Sequence, residues 1–409
     1  MFSKHFAVRE QTLLTPQGVA NPTRFLDWDS QPSSFKHYPH FCYRLPIATI
    51  PALYWLKSLR SITDIQSISK KSYYRLNTPS AGNLHPIEIY LQIRNVQGVL
   101  NGVYHWDVLH EELVLIEEIA SGGCEPYLGM EQRFSGCLLF FSLVPFRSFW
   151  KYGLRGWRYL YLDLGHQLGV LHGVYHNERI KPTKLSDIDK QSLCRILGLG
   201  EDEIIGGIYA LGEMSDRSVK ALNEPLMIVS PCDYVKRDSV LTEALTKDEC
   251  YQNFFPDYGS NWSESINHTR RSARYFNPLI YDDNWLKELF AILPPPSLEI
   301  IHIVFRAHSM QLGVYKEGKC IEEGNFIAEI VHLLLDQHFL ANASMVSLIF
   351  SDRFDASTHI EAGIIAQEYY TLAEKMTIGC SGIGAFYDEY AKRWSDKSLL
   401  YAVAIGGKI

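Results

Sequence analysis

The chain carries an internal repeat, and two copies of one unit restrict the fold to architectures that such a unit can build on its own. In the first half, Ile87-Glu-Ile-Tyr-Leu-Gln-Ile-Arg94 alternates apolar and polar residues as a strand does, then leads through Gly98 to Gly102-Val-Tyr-His-Trp-Asp107. In the second half, Leu298-Glu-Ile-Ile-His-Ile-Val-Phe-Arg306 is followed by Gly313-Val-Tyr315, 211 residues on from Gly102. A helical run at 158–172 has its counterpart at 357–371. Small residues line one face of each, Gly165 and Gly169 in the first, Ala362, Gly363 and Ala366 in the second. Such faces let helix backbones approach closely, so these two helices are expected to meet where two like units pack. Each half closes on a short apolar strand before a glycine, Ile204–Gly212 and Leu399–Gly406.

Each unit reads as α+β. Strands are expected at about 87–94, 137–144 and 204–211, and again at 298–306, 344–350 and 399–405. Helices are expected at about 49–61, 157–175, 283–292, 323–337 and 357–376. The stretch from Asp216 to Asn267 is polar and aromatic without a sustained period, as in Asn253-Phe-Phe-Pro-Asp-Tyr-Gly-Ser-Asn-Trp262, and reads as a long connection that wraps one unit onto the other. The expected organisation is therefore unit 1 over 1–215, a connection over 216–267 and unit 2 over 268–409.

Composition narrows the class of partner. With 46% hydrophobic and 21% charged residues, the 409-residue chain has the make-up of a packed globular protein. Its 39 Lys+Arg against 46 Asp+Glu give a net charge of -7, which argues against a nucleic-acid or anionic membrane surface. Any anion site must then be local. The eight cysteines show no C-x-x-C spacing and are expected to be reduced, and His37, His40, His166 and His172 lack ligand spacing, so no metal is expected. Without an apolar leader or a run approaching about twenty apolar residues, a cytoplasmic location is expected.

Three segments could hold a ligand. Arg270-Arg271-Ser272-Ala273-Arg274 places three guanidiniums and a hydroxyl within five residues, a set able to grip a phosphate, although a solvated basic turn has the same composition. Pro79-Ser80-Ala81-Gly82-Asn83-Leu84-His85-Pro86 is a small-residue loop feeding the 87–94 strand. Gly379-Cys380-Ser381-Gly382-Ile383-Gly384-Ala385-Phe386 leaves backbone N–H groups open to a ligand. Neither G-x-x-x-x-G-K-[ST] nor G-x-G-x-x-G between strand and helix occurs.

Together these segments, with the Ile360-Glu-Ala-Gly-Ile-Ile-Ala-Gln367 helix and the final strand before glycine, resemble the FMN-dependent nitroreductase superfamily. The resemblance implies the nitroreductase fold twice over, as a tandem pseudo-dimer in one chain, because members are usually homodimers with FMN at the subunit interface. By this resemblance Arg270, Arg271, Ser272 and Arg274 would meet the phosphate, ribityl and pyrimidine edges of FMN. Pro79, Ser80, Ala81, Gly82 and Asn83 would supply the segment a partner subunit contributes. Ile383, Gly384 and Ala385 would bring a backbone N–H to flavin N5, and Lys408 would reach the phosphate. Since each of the first two motifs occurs once, one FMN per chain is expected.

The first half is similar to the SagB-type branch, whose members oxidise thiazolines and oxazolines on peptides. That similarity rests on Tyr74-Arg75 ahead of the Pro-Ser-Ala-Gly loop, on Gly-Val-Tyr-His-Trp-Asp, and on Lys151-Tyr152-Gly153-Leu154-Arg155-Gly156-Trp157-Arg158-Tyr159. It implies that Lys151 and Tyr152 are the catalytic acid/base pair. Aromatising an azoline needs a base for the α proton while flavin N5 takes hydride from the β carbon, and an ammonium beside a phenol favours the phenolate. Otherwise Lys151-Tyr152 is a helix corner with a packed Tyr and a solvated Lys. Three functions follow: an FMN dehydrogenase or oxidase of a peptide or peptide-like natural product, reoxidised by dioxygen; an NAD(P)H-dependent reductase of nitro, quinone or ene substrates; or a flavin-binding scaffold in a biosynthetic complex. A further homodimer stays open.

Overall fold

The computed structural model describes residues 6–20, 26–68, 71–178, 182–183, 185, 187–224, 227–251, 262–278 and 284–409. The chain packs as two compact units, Asp27–Asp257 and Tyr258–Ile409, the latter grouped with Met1–Leu26. This division differs from the expected boundaries at both ends. Residues 1–26 cluster with the second repeat, and most of the 216–267 segment with the first. Much of the aromatic stretch of that segment, 253–261, lies outside the described residues.

The first unit is built on a seven-stranded sheet whose central order is Glu112–Glu118, Gly102–Asp107, Ile87–Arg94, Gln132–Leu143, Ile204–Ser218, all antiparallel neighbours. In the second unit the six-stranded sheet runs Lys319–Glu323, Gly313–Lys316, Glu299–Val304, Met345–Ser351, Ser398–Gly407, Ile378–Ile383. Five strands thus recur in the same spatial order, and the repeat read from the sequence is a repeat of structure. The Gly-Val-Tyr motif has the same local purpose in both. The Tyr104 hydroxyl donates to the Leu100 carbonyl at 2.7 Å, and that of Tyr315 to the Gln311 carbonyl at 2.7 Å, each closing the turn before its strand.

One long helix accompanies each sheet, Gly156–Glu178 and Ala356–Lys375, buried at nearly every described position. The helix at 283–292 is observed as Asn284–Phe290. Elsewhere glycine and proline cut the expected helices short. The 49–61 stretch is two 3-10 turns and the short helix Trp55–Leu59, because Pro51 has no N–H to extend a helix through it. Within 323–337 the strand Lys319–Glu323 ends at Gly324 (φ +156°), and the helix is confined to Ile327–Leu333.

The polar face of the 87–94 strand is buried, not solvated. Glu88 pairs with Arg147 at 2.7 Å and His105 at 3.1 Å. Tyr90 donates to Glu203 at 2.9 Å, Gln92 accepts from the Cys124 N–H at 2.7 Å, and Arg94 donates to Glu125 at 2.9 Å. Lys36, almost without exposure, closes the set by donating to Tyr90 and Glu203, each at 2.7 Å. Such groups must be paired when removed from water, and here each carboxylate meets a cation.

Candidate active site

Lys151 and Tyr152 end the helix Pro145–Tyr152. Gly153 (φ +57°) terminates that helix in a conformation open to glycine, and the chain turns into Gly156–Glu178. A Cβ on Gly156 would come within 2.9 Å of the Ser148 carbonyl carbon, so the corner can be this tight only with glycine there. The Gly-x-Arg-Gly pattern beside the pair therefore has a geometric cause.

That corner sets the pair directly over the Ser80–Asn83 loop. A Cβ built on Gly82 would lie 2.6 Å from Tyr152 Oη and 2.9 Å from Lys151 Nζ. Gly82 and Asn83 both take positive φ, 63° and 60°. The Lys151 ammonium also lies over two aromatic rings, 5.1 Å from the centroid of Trp28 and 5.4 Å from that of Tyr152, a placement that favours the cation. Tyr152 packs edge-to-face on Tyr159, 4.5 Å between centroids, and Tyr159 Oη accepts from Arg155 Nε at 3.0 Å. Two expectations drawn from separate parts of the sequence thus meet at one place.

The loop is held by a residue that no sequence motif singled out. Asp163, on the long helix, accepts from Ser80 Oγ at 2.6 Å and from the Ala81 N–H at 3.0 Å. Asn83 Nδ2 donates to the Tyr74 carbonyl at 2.7 Å, and His85 Nε2 lies 3.0 Å from the same oxygen. Tyr74 thus supports the loop through its backbone. One signal pointed to Asp163: it is the single acidic residue between Trp157 and Asn177.

Burial raises the Asp163 carboxyl to about 7, against the opposing bonds from Ser80 and Ala81 and the charge of Arg60. Its folded pKa lies above its unfolded value. The stability it contributes is therefore full below the ordinary carboxylate pKa of about 4 and is lost as pH rises through about 7. We expect the stability of the wild type relative to Asp163→Asn to fall between pH 4 and pH 8, measured as urea midpoints of the two proteins. Parallel curves across that range would remove Asp163 as the titrating clamp.

In the second unit, the basic segment and the glycine segment meet at Tyr370 on the helix Ala356–Lys375. Tyr370 Oη lies 2.8 Å from Ser272 Oγ and accepts from the Gly382 N–H at 2.7 Å, and the Arg270 guanidinium lies over its ring at 5.1 Å. The Ala273 N–H donates to the Cys380 carbonyl at 2.8 Å, fixing one segment against the other. Arg270 is buried, and burial lowers its pKa. Arg271 donates to the His268 and Arg270 carbonyls, while Arg274 is exposed. Ile383 is buried in the strand, and Gly384 and Ala385 follow it half-buried. Lys408 pairs with Glu374 at 3.0 Å, and the Glu374 charge also acts on Arg270. Tyr370 had no distinguishing signal in a chain with 24 tyrosines.

In the second unit the half-buried Ala385 N–H has no acceptor among the described residues, and an open backbone donor there fits the flavin that the resemblance implies. Among the described residues no helix is long and apolar enough to cross a membrane.

No protein-family model matches the chain. A protein of Methanocaldococcus jannaschii named "putative nitroreductase" is 33% identical over 100 residues, which are 24% of this chain and 49% of that protein, so the match spans about half of its length. The crystal structure of a "putative nitroreductase" from Anabaena variabilis superposes with a TM-score of 0.80, covers 100% of both chains and is 20% identical. A chain of the E. coli microcin synthetase McbBCD complex with truncated pro-MccB17 bound matches 51% of this chain and 87% of its own, with a TM-score of 0.31 and 16% identity. Over its whole length, then, this chain has the α+β nitroreductase-like fold in two tandem units.

Proposed function

We propose that the protein is an FMN-dependent oxidoreductase that dehydrogenates an azoline or similar C–N ring in a peptide or peptide-like natural product. The observation that carries this reading is the Lys151–Tyr152 pair set over the Gly82 loop, within 3 Å of where a Cβ would stand. Arg270, Arg271, Ser272 and Arg274 bind the FMN phosphate and ribityl edges, with Lys408 as a further cation. Pro79 to Asn83 and Ile383 to Ala385 would each contribute to holding the cofactor, at one FMN per chain. Bound FMN would supply a hydride acceptor, with dioxygen as the final oxidant. Tyr152, as phenolate, takes the α proton of the substrate ring, and Lys151 holds that phenolate by its charge. Loss of the α proton and of hydride from the β carbon leaves the aromatic azole.

The test begins with flavin. The purified protein, saturated with FMN and desalted, is expected to retain one FMN per chain. Arg270→Ala removes a charge-assisted contact worth about 1.5–3 kcal/mol, so its FMN dissociation constant is expected to rise roughly 10- to 150-fold by fluorescence titration. Unchanged affinity would favour the scaffold reading. A reductase of nitro, quinone or ene substrates is the second reading, favoured by the 33% identity to a protein named for that activity. Anaerobic mixing with NAD(P)H separates the two, since rapid bleaching at 450 nm belongs to the reductase.

A further inference from the structure

The ammonium of Lys151 lies over two rings, and only one of them belongs to the Lys151–Tyr152 pair. The other is Trp28, from the start of the same compact unit, whose centroid is 5.1 Å from Nζ. Trp28 is 57% exposed, so it adds little to the core and can be replaced without opening a cavity.

The turn that carries Trp28 is fastened to the helix that carries Lys151. Trp28–Ser30 is a single 3-10 turn capped by Asp27, whose carboxylate accepts from the Asp29 N–H at 3.1 Å. Trp150 packs edge-to-face with Trp28, 5.8 Å between centroids, and its Nε1 donates to Ser30 Oγ at 3.1 Å. Arg147 Nε donates to the Ser33 carbonyl at 3.0 Å. The Tyr234 hydroxyl donates to the Ser30 carbonyl while its ring packs on Phe146, 5.1 Å between centroids. Phe146, Arg147 and Trp150 all belong to the helix Pro145–Tyr152, so the indole is tied to the element that ends in the pair.

A lysine ammonium rides on a flexible four-carbon stem and acts on a neighbouring phenol only while it stays beside it. A carboxylate would hold it but would also offset its charge. A π face attracts the cation and adds no counter-charge.

We infer that Trp28 is a positioning residue, which holds the Lys151 ammonium beside the Tyr152 hydroxyl without adding a charge that opposes it. The inference rests on the reading of Lys151 and Tyr152 as the acid/base pair.

The first test needs no substrate. Labelling of Lys151 by acetic anhydride across pH, read by mass spectrometry on the full-length, FMN-saturated protein, reports where its amine loses the proton. Trp28→Leu keeps apolar bulk without a π face, and its labelling midpoint is expected to fall by roughly 0.4 to 1.5 pH units, with Trp28→Phe close to the wild type. An unchanged midpoint in Trp28→Leu would overturn the inference whether or not any peptide is turned over.

The second test follows flavin reduction by a synthetic thiazoline-containing peptide in anaerobic stopped-flow. Trp28→Leu is expected to lower the limiting rate roughly 2- to 30-fold, the span of a cation–π contact from exposed to desolvated, with FMN content and the half-saturating peptide concentration unchanged. Trp28→Phe is expected to recover most of that loss. The rising limb of the pH–rate profile is expected to move to higher pH in Trp28→Leu, because the phenolate loses part of the charge that favours it. Tyr159 and Arg155, which face the phenol from the long helix and the corner, and Asp27 and Asp29 on the Trp28 turn are the same in every variant. Because Trp28 acts through Lys151, Trp28→Leu is expected to change nothing further in a Lys151→Met background. An equal loss in that background, or a loss confined to the half-saturating concentration, would overturn the inference and leave the pair in place. A wild-type rate in Lys151→Met alone would remove the pair and the inference with it.

Discussion

Glu88→Gln is expected to destabilise the unit Asp27–Asp257 by about 3–5 kcal/mol, the cost of leaving a buried charge without its partner. Glu88 is almost fully buried and accepts from Arg147 at 2.7 Å, from His105 at 3.1 Å and from the Lys36 N–H at 2.9 Å. Burial pushes its carboxyl up, but Arg147, His105 and Arg60 together outweigh burial and hold it well below the usual range. Its stabilisation is thus present above the unfolded carboxylate pKa and is lost as pH falls through the folded value. An amide at this position keeps one oxygen for Arg147 but carries no charge, so the buried guanidinium is left without its counter-ion. For a unit of this size the loss corresponds to a fall in Tm of roughly 6–20 °C, read by circular dichroism. The change should also reach the Lys151–Tyr152 corner, since Arg147 stands one turn before Lys151 and donates to the Ser33, His85 and Pro231 carbonyls. A loss below about 1 kcal/mol would mean that the pair is hydrated in solution. The double variant Glu88→Gln/Arg147→Met should recover part of the loss, because the remaining cost is then unpaired carbonyls rather than an unpaired charge.

The second large effect concerns chemistry. Tyr152→Phe is expected to lower the rate of flavin reduction by a synthetic thiazoline-containing peptide about 10²- to 10⁴-fold, with FMN content unchanged. Phenylalanine is the clean probe because the edge-to-face packing on Tyr159 needs only the ring, whereas the hydroxyl is the atom nearest to where a Cβ on Gly82 would stand. Anaerobic stopped-flow at 450 nm measures the step directly. A variant that keeps its flavin and the wild-type rate would exclude Tyr152 as the base. Lys151→Met should give a loss of similar size, with a shifted pH profile, because the phenolate would lose the charge that favours it. The proposed proton transfer would need both groups at the loop, where the tight corner at Gly153 and Gly156 puts them.

What the two halves share was legible because β-strands and buried helices announce themselves by period. The Ile87–Arg94 and Leu298–Arg306 runs, the Gly-Val-Tyr turns and the two long helices all follow from local pattern, and five strands recur in one order. Lys151–Tyr152 was singled out by the family resemblance, whereas local pattern marked the Ser80–Asn83 loop and the two segments now tied together by Tyr370. It could not show that the polar face of the 87–94 strand is buried. Alternation fixes which side chains share a face, and only the packing of Lys36, Arg147 and Glu203 against that face decides whether it meets water.

The sequence by itself determined the repeat, the α+β class and the residue types from which a flavin site could be built, since these depend on near neighbours along the chain. Only the tertiary structure decided that the ammonium of Lys151 and the hydroxyl of Tyr152 stand over Gly82, that Asp163 holds the loop, and that Tyr370 joins Ser272 to Gly382. The partners in these contacts lie between 12 and 98 residues apart. Contacts over such separations leave no period in the sequence, because their geometry is set by how the elements pack rather than by any one of them.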